Sequence, residues 1–208
     1  MTKTYIVTGT DTGIGKTTVA AMLTLALDAC YWKPIQSGTQ EETDRQRIQA
    51  LTALSDDRFL PESYVLSAPL SPHRAAELEG TEIDPKALVI PVSDRNLIVE
   101  GAGGLMVPLT RGKLQIDLFA AWMAPIILCA RTGLGTINHT LLSIEALRRR
   151  NMSLHGLIFI GDHNADNIRT IVEFSGVQLL GHVPLLARVD RAALLSVFAA
   201  GFRIKDFA

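Results

Sequence analysis

The chain has 208 residues and only 2 cysteines, Cys30 and Cys129, so it carries no disulfide framework and no paired-thiol metal motif. Each cysteine sits in or beside an apolar run and reads as a small buried hydrophobe. The formal net charge is −1, too small to set up a field that gathers nucleic acid or an anionic membrane surface. Aromatic residues make up 6%, and none interleave with basic residues as a base-stacking surface requires. No run approaches the roughly eighteen apolar residues of a spanning helix; the most apolar stretch, around Ala124 to Ala130, is strand-length. No apolar targeting core precedes Gly9, and the expected compartment is the cytoplasm. Nothing repeats at a fixed period and no Pro/Gly/Ser-rich linker divides the chain, which predicts one domain over residues 1–208.

What the chain does have is short apolar runs alternating with helical patterns. Thr4–Thr8, Cys30–Trp32, Leu97–Val99, Pro125–Ala130, Leu157–Ile160 and Leu179–Val183 read as strands. They are apolar on successive residues, as suits parallel strands buried on both faces. Helices are predicted over Thr17–Asp28, Asp44–Leu54, Ile137–Arg150, Ala165–Phe174 and Arg191–Ala200. Alternation of this kind implies crossover units, hence an α/β fold with a mostly parallel sheet flanked by helices. Ligands of such sheets collect beyond the carboxyl ends of the strands, so the segments following each strand are where chemistry is sought.

The first such segment is Gly9 to Thr18, GTDTGIGKTT, between a strand and a helix. Strand, glycine-rich turn and helix form the context in which Gly-Lys-Thr reads as a phosphate-binding loop. Lys16 would bring a point charge to the β- and γ-phosphates, and Thr17 would offer a hydroxyl to Mg²⁺. Five residues, not four, separate Gly9 from Gly15, and Thr10 stands where the general pattern has its first glycine. After the second strand comes Lys33-Pro34-Ile35-Gln36-Ser37-Gly38-Thr39. Lys33 either stabilises phosphoryl-transfer charge or is a surface lysine. Ser37 and Thr39 either bond a substrate or shape the turn. Glu100 directly follows an apolar strand, where magnesium-binding acids of nucleotide enzymes stand, and Gly101, Gly103 and Gly104 allow close backbone approach. Asp44 is either a second ligand or a solvated helix start. His73 and His139 each stand alone, without a metal-ligand partner at the usual spacing, and read as structural. Asn138, near the start of a helix, caps it or helps its free N–H groups hold a carboxylate.

Taken together, five segments resemble the dethiobiotin synthetase family: GTDTGIGKT (Gly9–Thr17), KPIQSGT (Lys33–Thr39), SPH (Ser71–His73), VEGAGG (Val99–Gly104) and GLGTINH (Gly133–His139), in order along the chain. The resemblance implies a single-domain P-loop NTPase-like fold and a ligase that joins 7,8-diaminononanoate, CO₂ (or bicarbonate) and ATP, with Mg²⁺ required. A substrate amine forms a carbamate with CO₂. The carbamate oxygen takes the γ-phosphoryl group, and the second amine closes the ureido ring with loss of phosphate. The resemblance further implies roles for particular residues. Lys16 and Lys33 are catalytic, and Thr17, Asp44 and Glu100 hold magnesium. Gly13, Ile14, Gly15, Thr18, Gly101, Ala102 and Gly103 join Lys16, Thr17, Asp44 and Glu100 in binding ATP. Thr12, Ser37, Gly133 and Asn138 bind substrate. Family members are homodimers in which the substrate carboxylate reaches the neighbouring subunit. Some members read adenine with an Asn-Asp pair after the next-to-last core strand; here the stretch is Ile160-Gly161-Asp162, which predicts relaxed nucleotide choice.

The alternative is a switch ATPase of the partition and cell-division type. Those proteins usually carry an extra lysine early in the phosphate loop, where this chain has Thr10-Asp11. They also often bear a basic or membrane-seeking element, and Gly201 to Ala208 is short and not strongly basic.

Overall fold

The computed structural model describes residues 2–207. Tyr5-Ile6-Val7-Thr8, bulky and β-branched, forms strand β1 (Thr4–Gly9), and the loop after it opens helix α1 (Lys16–Ala26). Then come β2 (Cys30–Trp32), β3 (Ile35–Ser37), α2 (Asp44–Thr52), β4 (Phe59–Leu60), β5 (Tyr64–Leu66) and α3 (Pro72–Glu79). The next stretch holds β6 (Leu97–Gly104), β7 (Pro108–Thr110), β8 (Lys113–Leu114), α4 (Gln115–Trp122) and β9 (Ile126–Arg131). Last are α5 (Thr136–Arg148), β10 (Leu154–Ile160), α6 (Ala165–Ser175), β11 (Leu179–Val183) and α7 (Arg191–Gly201).

Seven strands form one sheet in the order β11-β10-β9-β1-β6-β2-β4, and every pairing in it is parallel. Successive residues of β1 serve opposite faces: Tyr5 and Val7 pack with α1, with Ile48 of α2 and with Leu194 and Phe198 of α7. Ile6 packs with Phe119 of α4, Ile144 of α5 and Ile168 of α6. Burial on both faces explains the unbroken apolar runs. Both cysteines are unpaired and buried, as their apolar surroundings predict. Burial also pushes the Cys129 thiol up to about 12.

Three differences from the sequence reading matter for the site. Helices α3 and α4, and the short strands β3, β4, β5, β7 and β8, went unrecognised. None carries a long periodic pattern, and β3 pairs only with β5, outside the main sheet. The strand expected at Leu97–Val99 continues through Gly104, so Glu100 lies inside β6, not in a loop after it. It does so because β1 keeps pairing with β6 to the end, Val7 against Glu100 and Gly9 against Gly104, with an irregularity between. Finally, β3, β5 and α3, with Leu118 of α4, build a small third core around Ile35, Leu66 and Ala75, and the loop before α3 lines the cavity at the ends of the main strands.

Candidate active site

The phosphate loop leaves β1 at the sheet centre and turns into α1 through Gly15, whose φ of 98° is left-handed. A Cβ there would be strained and would also come within 3.2 Å of Ile160. Lys16 Nζ folds back to donate to the Asp11 carbonyl at 2.9 Å, closing the loop on itself. Asp44 is placed by a capping box: Gln46 N donates to Thr43 Oγ1 and Thr43 N to Gln46 Oε1, starting α2 at Asp44. Gln36 Oε1 accepts the Asp44 N–H at 3.2 Å, tying that helix start to β3.

These elements bring four side chains together. Thr17 Oγ1 lies 2.9 Å from both Asp44 Oδ1 and Glu100 Oε1. Lys33 Nζ contacts Asp44 Oδ2 and lies 3.4 Å from Glu100 Oε1. Lys33 is 6% exposed and Glu100 1%, so each charge depends on its partners. Burial pushes the Lys33 ammonium down, but Glu100 and Asp44 more than offset it and hold it above its ordinary value. Burial likewise opposes charge on Asp44, and Lys33 with the Thr17 hydroxyl and Lys16 together outweigh it, leaving that carboxyl below its ordinary value. Lys16 is pulled down, chiefly by burial.

The cluster floors a cavity of about 740 Å³. Thr12, Gly13, Gly15, Lys16, Thr17 and Thr18 line it from the phosphate loop; Lys33, Ser37 and Asp44 from the next segment; Glu100, Ala102 and Gly103 from β6. The walls thus offer cations and helix-start N–H groups to phosphates beside paired carboxylates. Among the described residues no three His, Cys, Asp or Glu side chains gather as a cage. Two carboxylates and a hydroxyl are hard oxygen donors that suit Mg²⁺, which takes one or two carboxylates and completes its shell with phosphates and water. The Lys33 ammonium already stands against these oxygens as a tethered cation, so the donor set fits a metal ion.

Curated relatives match the chain from end to end. ATP-dependent dethiobiotin synthetase BioD of Rhodopseudomonas palustris (strain TIE-1) is 58% identical, over 100% of this chain and 98% of the relative. The chain belongs to the dethiobiotin synthetase family. The Brucella anthropi BioD is 54% identical over 100% of the chain and 98% of its own length. A family model described as "AAA domain" matches residues 3–193. Among solved structures, the cell-division ATPase MinD of Pyrococcus furiosus superposes with a TM-score of 0.57 over all of both chains, at 14% identity. That likeness establishes the P-loop NTPase fold alone, so the switch-ATPase alternative survives only as a distant structural relation.

Not every residue singled out in the sequence faces the cavity. Ile14 is buried, its side chain packed near Gly9. Gly101 faces away: a Cβ there would sit 2.6 Å from the Gln115 amide and 2.7 Å from the Phe119 ring. Gly133 and Asn138 are exposed at the start of α5 and do not line the cavity of their own chain. His73 does not face it either; its Nδ1 lies 3.0 Å from Ser71 Oγ. Conversely, Arg47, Leu70 and Val107 line it unannounced, and Ser71, quoted only as part of the SPH segment, lines it too. Arg47 was findable, because it follows Asp44 by three residues on one face of α2. The loop before α3 had no such periodicity to expose it.

Proposed function

We propose that the chain is an ATP-dependent dethiobiotin synthetase, converting 7,8-diaminononanoate, CO₂ and ATP to dethiobiotin, ADP and phosphate. The observation that carries this reading is the meeting of Lys33 and Ser37, one segment beyond the phosphate loop, with Lys16 and Thr17 in one cavity. A switch ATPase of the partition type carries its extra lysine within the phosphate loop, whereas here the second lysine comes from the next segment together with the Ser37 hydroxyl. Ser37 Oγ is buried without a hydrogen-bond partner, as suits a group waiting for substrate.

Backbone N–H groups of Gly13, Ile14, Gly15 and Thr18, with the positive end of α1, hold the phosphates, and Lys16 neutralises them. Ala102 and Gly103 complete the ATP site along β6, while Gly101, turned toward Gln115 and Phe119, drops out of it; Thr12 joins Ser37 against the diamine. Thr17, Asp44 and Glu100 would hold Mg²⁺. Bound there with ATP, the ion supplies charge neutralisation at the phosphates. Lys33, in the same segment as Ser37, is the cation assigned to the substrate side. It steadies the carbamate oxygen as that oxygen attacks the γ-phosphorus and ADP departs. The second amine then attacks the carbamate carbon, phosphate leaves, and the ring closes. Positioning and charge stabilisation are what such a transfer asks of a protein. The site is shared in a homodimer: Gly133 and Asn138, at the free N-terminus of α5, take the substrate carboxylate from the neighbouring subunit's cavity.

Incubation with diaminononanoate, labelled bicarbonate, Mg²⁺ and ATP should give labelled dethiobiotin by mass analysis. ATP hydrolysis without labelled product would overturn the reading.

Glu100→Gln keeps shape and removes charge. It should raise the Mg²⁺ concentration for half-maximal turnover about tenfold or more while changing diaminononanoate KM little. An unchanged Mg²⁺ titration in a folded variant would make Glu100 structural.

Nucleotide choice should be relaxed. Gly161, where some members have Asn, offers no side-chain amide after β10. Losing such a hydrogen-bond pair forfeits about 1–3 kcal/mol, so CTP or GTP should support turnover within about tenfold of ATP. A preference for ATP beyond about a thousandfold would assign base reading to another segment, such as Pro184-Leu185-Leu186.

A further inference from the structure

Tyr31, in the middle of β2, is fully buried, yet its hydroxyl reaches the edge of the site. It donates to Glu100 Oε2 at 2.9 Å. The other carboxylate oxygen, Oε1, is the one within 2.9 Å of Thr17 Oγ1 and 3.4 Å of Lys33 Nζ. The two oxygens of Glu100 therefore divide their work: one is held from the core side, and the other is turned toward the cavity. The terminal torsion of a glutamate is broad and roughly two-fold, so backbone placement alone does not hold the carboxylate plane. Nothing else in the described contacts of Glu100 reaches Oε2. Tyr31 is itself rigidly placed, paired with Ile98 on β6 and Phe59 on β4, its ring edge-on to Phe59 at 6.4 Å.

We propose that Tyr31 is a positioning residue of this ligase: its hydroxyl pins Glu100 Oε2 so that Oε1, with Thr17 Oγ1 and Asp44, is presented to the nucleotide's magnesium. The proposal rests on the reading of Glu100 as a magnesium-binding group. Outer donors that orient a metal-binding carboxylate are commonly worth about 10–100-fold in metal affinity. Tyr31→Phe removes the donor and keeps the ring, so packing against Phe59 and within β2 is retained while Oε2 is left buried and unpaired.

The test is Mn²⁺ binding to the full chain in the presence of saturating ADP, followed by the paramagnetic signal of free Mn²⁺, without turnover. Tyr31→Phe should bind Mn²⁺ about tenfold more weakly and need correspondingly more Mg²⁺ for half-maximal turnover. ADP affinity measured without metal, and KM for diaminononanoate, should stay within about twofold of the unsubstituted chain. A merely structural tyrosine would lower thermal stability and leave Mn²⁺ affinity of the folded protein unchanged, and that result overturns the proposal. Glu100→Gln, measured alongside, separates the two claims: if it binds Mn²⁺ normally, the reading of Glu100 has failed. Should Tyr31→Phe not fold, the double variant Tyr31→Phe/Glu100→Gln leaves no buried charge unpaired at that point. It should bind Mn²⁺ no more weakly than Glu100→Gln alone, since the tyrosine acts only through the glutamate. A further tenfold loss in the double variant would show that Tyr31 acts by another route, and the proposal fails.

Discussion

Lys33→Ala is expected to lower kcat by about two orders of magnitude or more, the scale on which a preorganised charge donor is lost from a transition state. The buried Lys33 ammonium is held against Asp44 and Glu100, and its raised pKa keeps it charged across the working range. Removal has a second consequence, because two carboxylates are left facing one another without their cation. The ligand-free variant should therefore be less stable than the unsubstituted chain. The sign with pH follows from the shifts. Lys33 is raised, so its contribution is complete below the unfolded lysine value and fades as pH climbs through the folded one. Asp44 is lowered, so its contribution is complete above the unfolded aspartate value and fades as pH falls through the folded one. The stability deficit of Lys33→Ala should be greatest in the window between them and shrink under acid. Urea midpoints across pH, with kcat at saturating substrates near neutrality, measure both effects. Lys16→Ala should lose kcat on a similar scale, with a larger rise in KM for ATP because that lysine stands in the phosphate loop. Near-normal turnover in Lys33→Ala would remove that lysine from the mechanism.

The second large effect is a gain of activity from two inactive proteins. Asn138 is exposed near the start of α5, and Gly133, also exposed, lies just before it; neither lines the cavity of its own chain. Leu134 between them is fully exposed at 108%, an apolar side chain that a subunit contact would cover. If the substrate carboxylate of one cavity is held by this helix start of the neighbour, Asn138→Asp should abolish activity by setting a negative charge against it. Lys33→Ala disables the other half of the same site. Mixed and allowed to exchange subunits, the two should recover up to about a quarter of normal activity. Random pairing makes half the dimers mixed, and each mixed dimer of two equivalent sites has one site intact. With subunit exchange confirmed and both variants inactive alone, failure to recover activity would mean that each site is built from one chain.

Much of this arrangement was legible in the residues, for reasons that differ from place to place. The core strands β1, β2, β9, β10 and β11 were readable because burial on both faces demands successive apolar residues, a signal that needs no partner to be seen. The five long helices were readable from periodicity, though their ends shifted by up to two residues, as with Thr17–Asp28 against Lys16–Ala26. Helices α3 and α4, of 8 residues each, were not, since so short a stretch holds little more than two turns of pattern. Strands β3 and β5 form only as a pair, and pairing is a long-range property.

The sequence by itself determined the chemistry available at the site: a glycine-rich turn ending in Lys16 and Thr17, a second lysine at 33, and acids at 44 and 100. Those are residue types that phosphate and magnesium accept, so they could be named as candidates before any fold was known. Only the tertiary structure decided which of them meet. Thr17 and Glu100 are separated by 83 residues of chain, and they come within 2.9 Å because β1 and β6 are neighbours in a parallel sheet. Tyr31 reaches Glu100 for the same reason, since β2 is the next strand over. In a parallel sheet neighbouring strands are joined through crossovers, so strand order, and with it the list of side chains that share one cavity, is not written in local spacing.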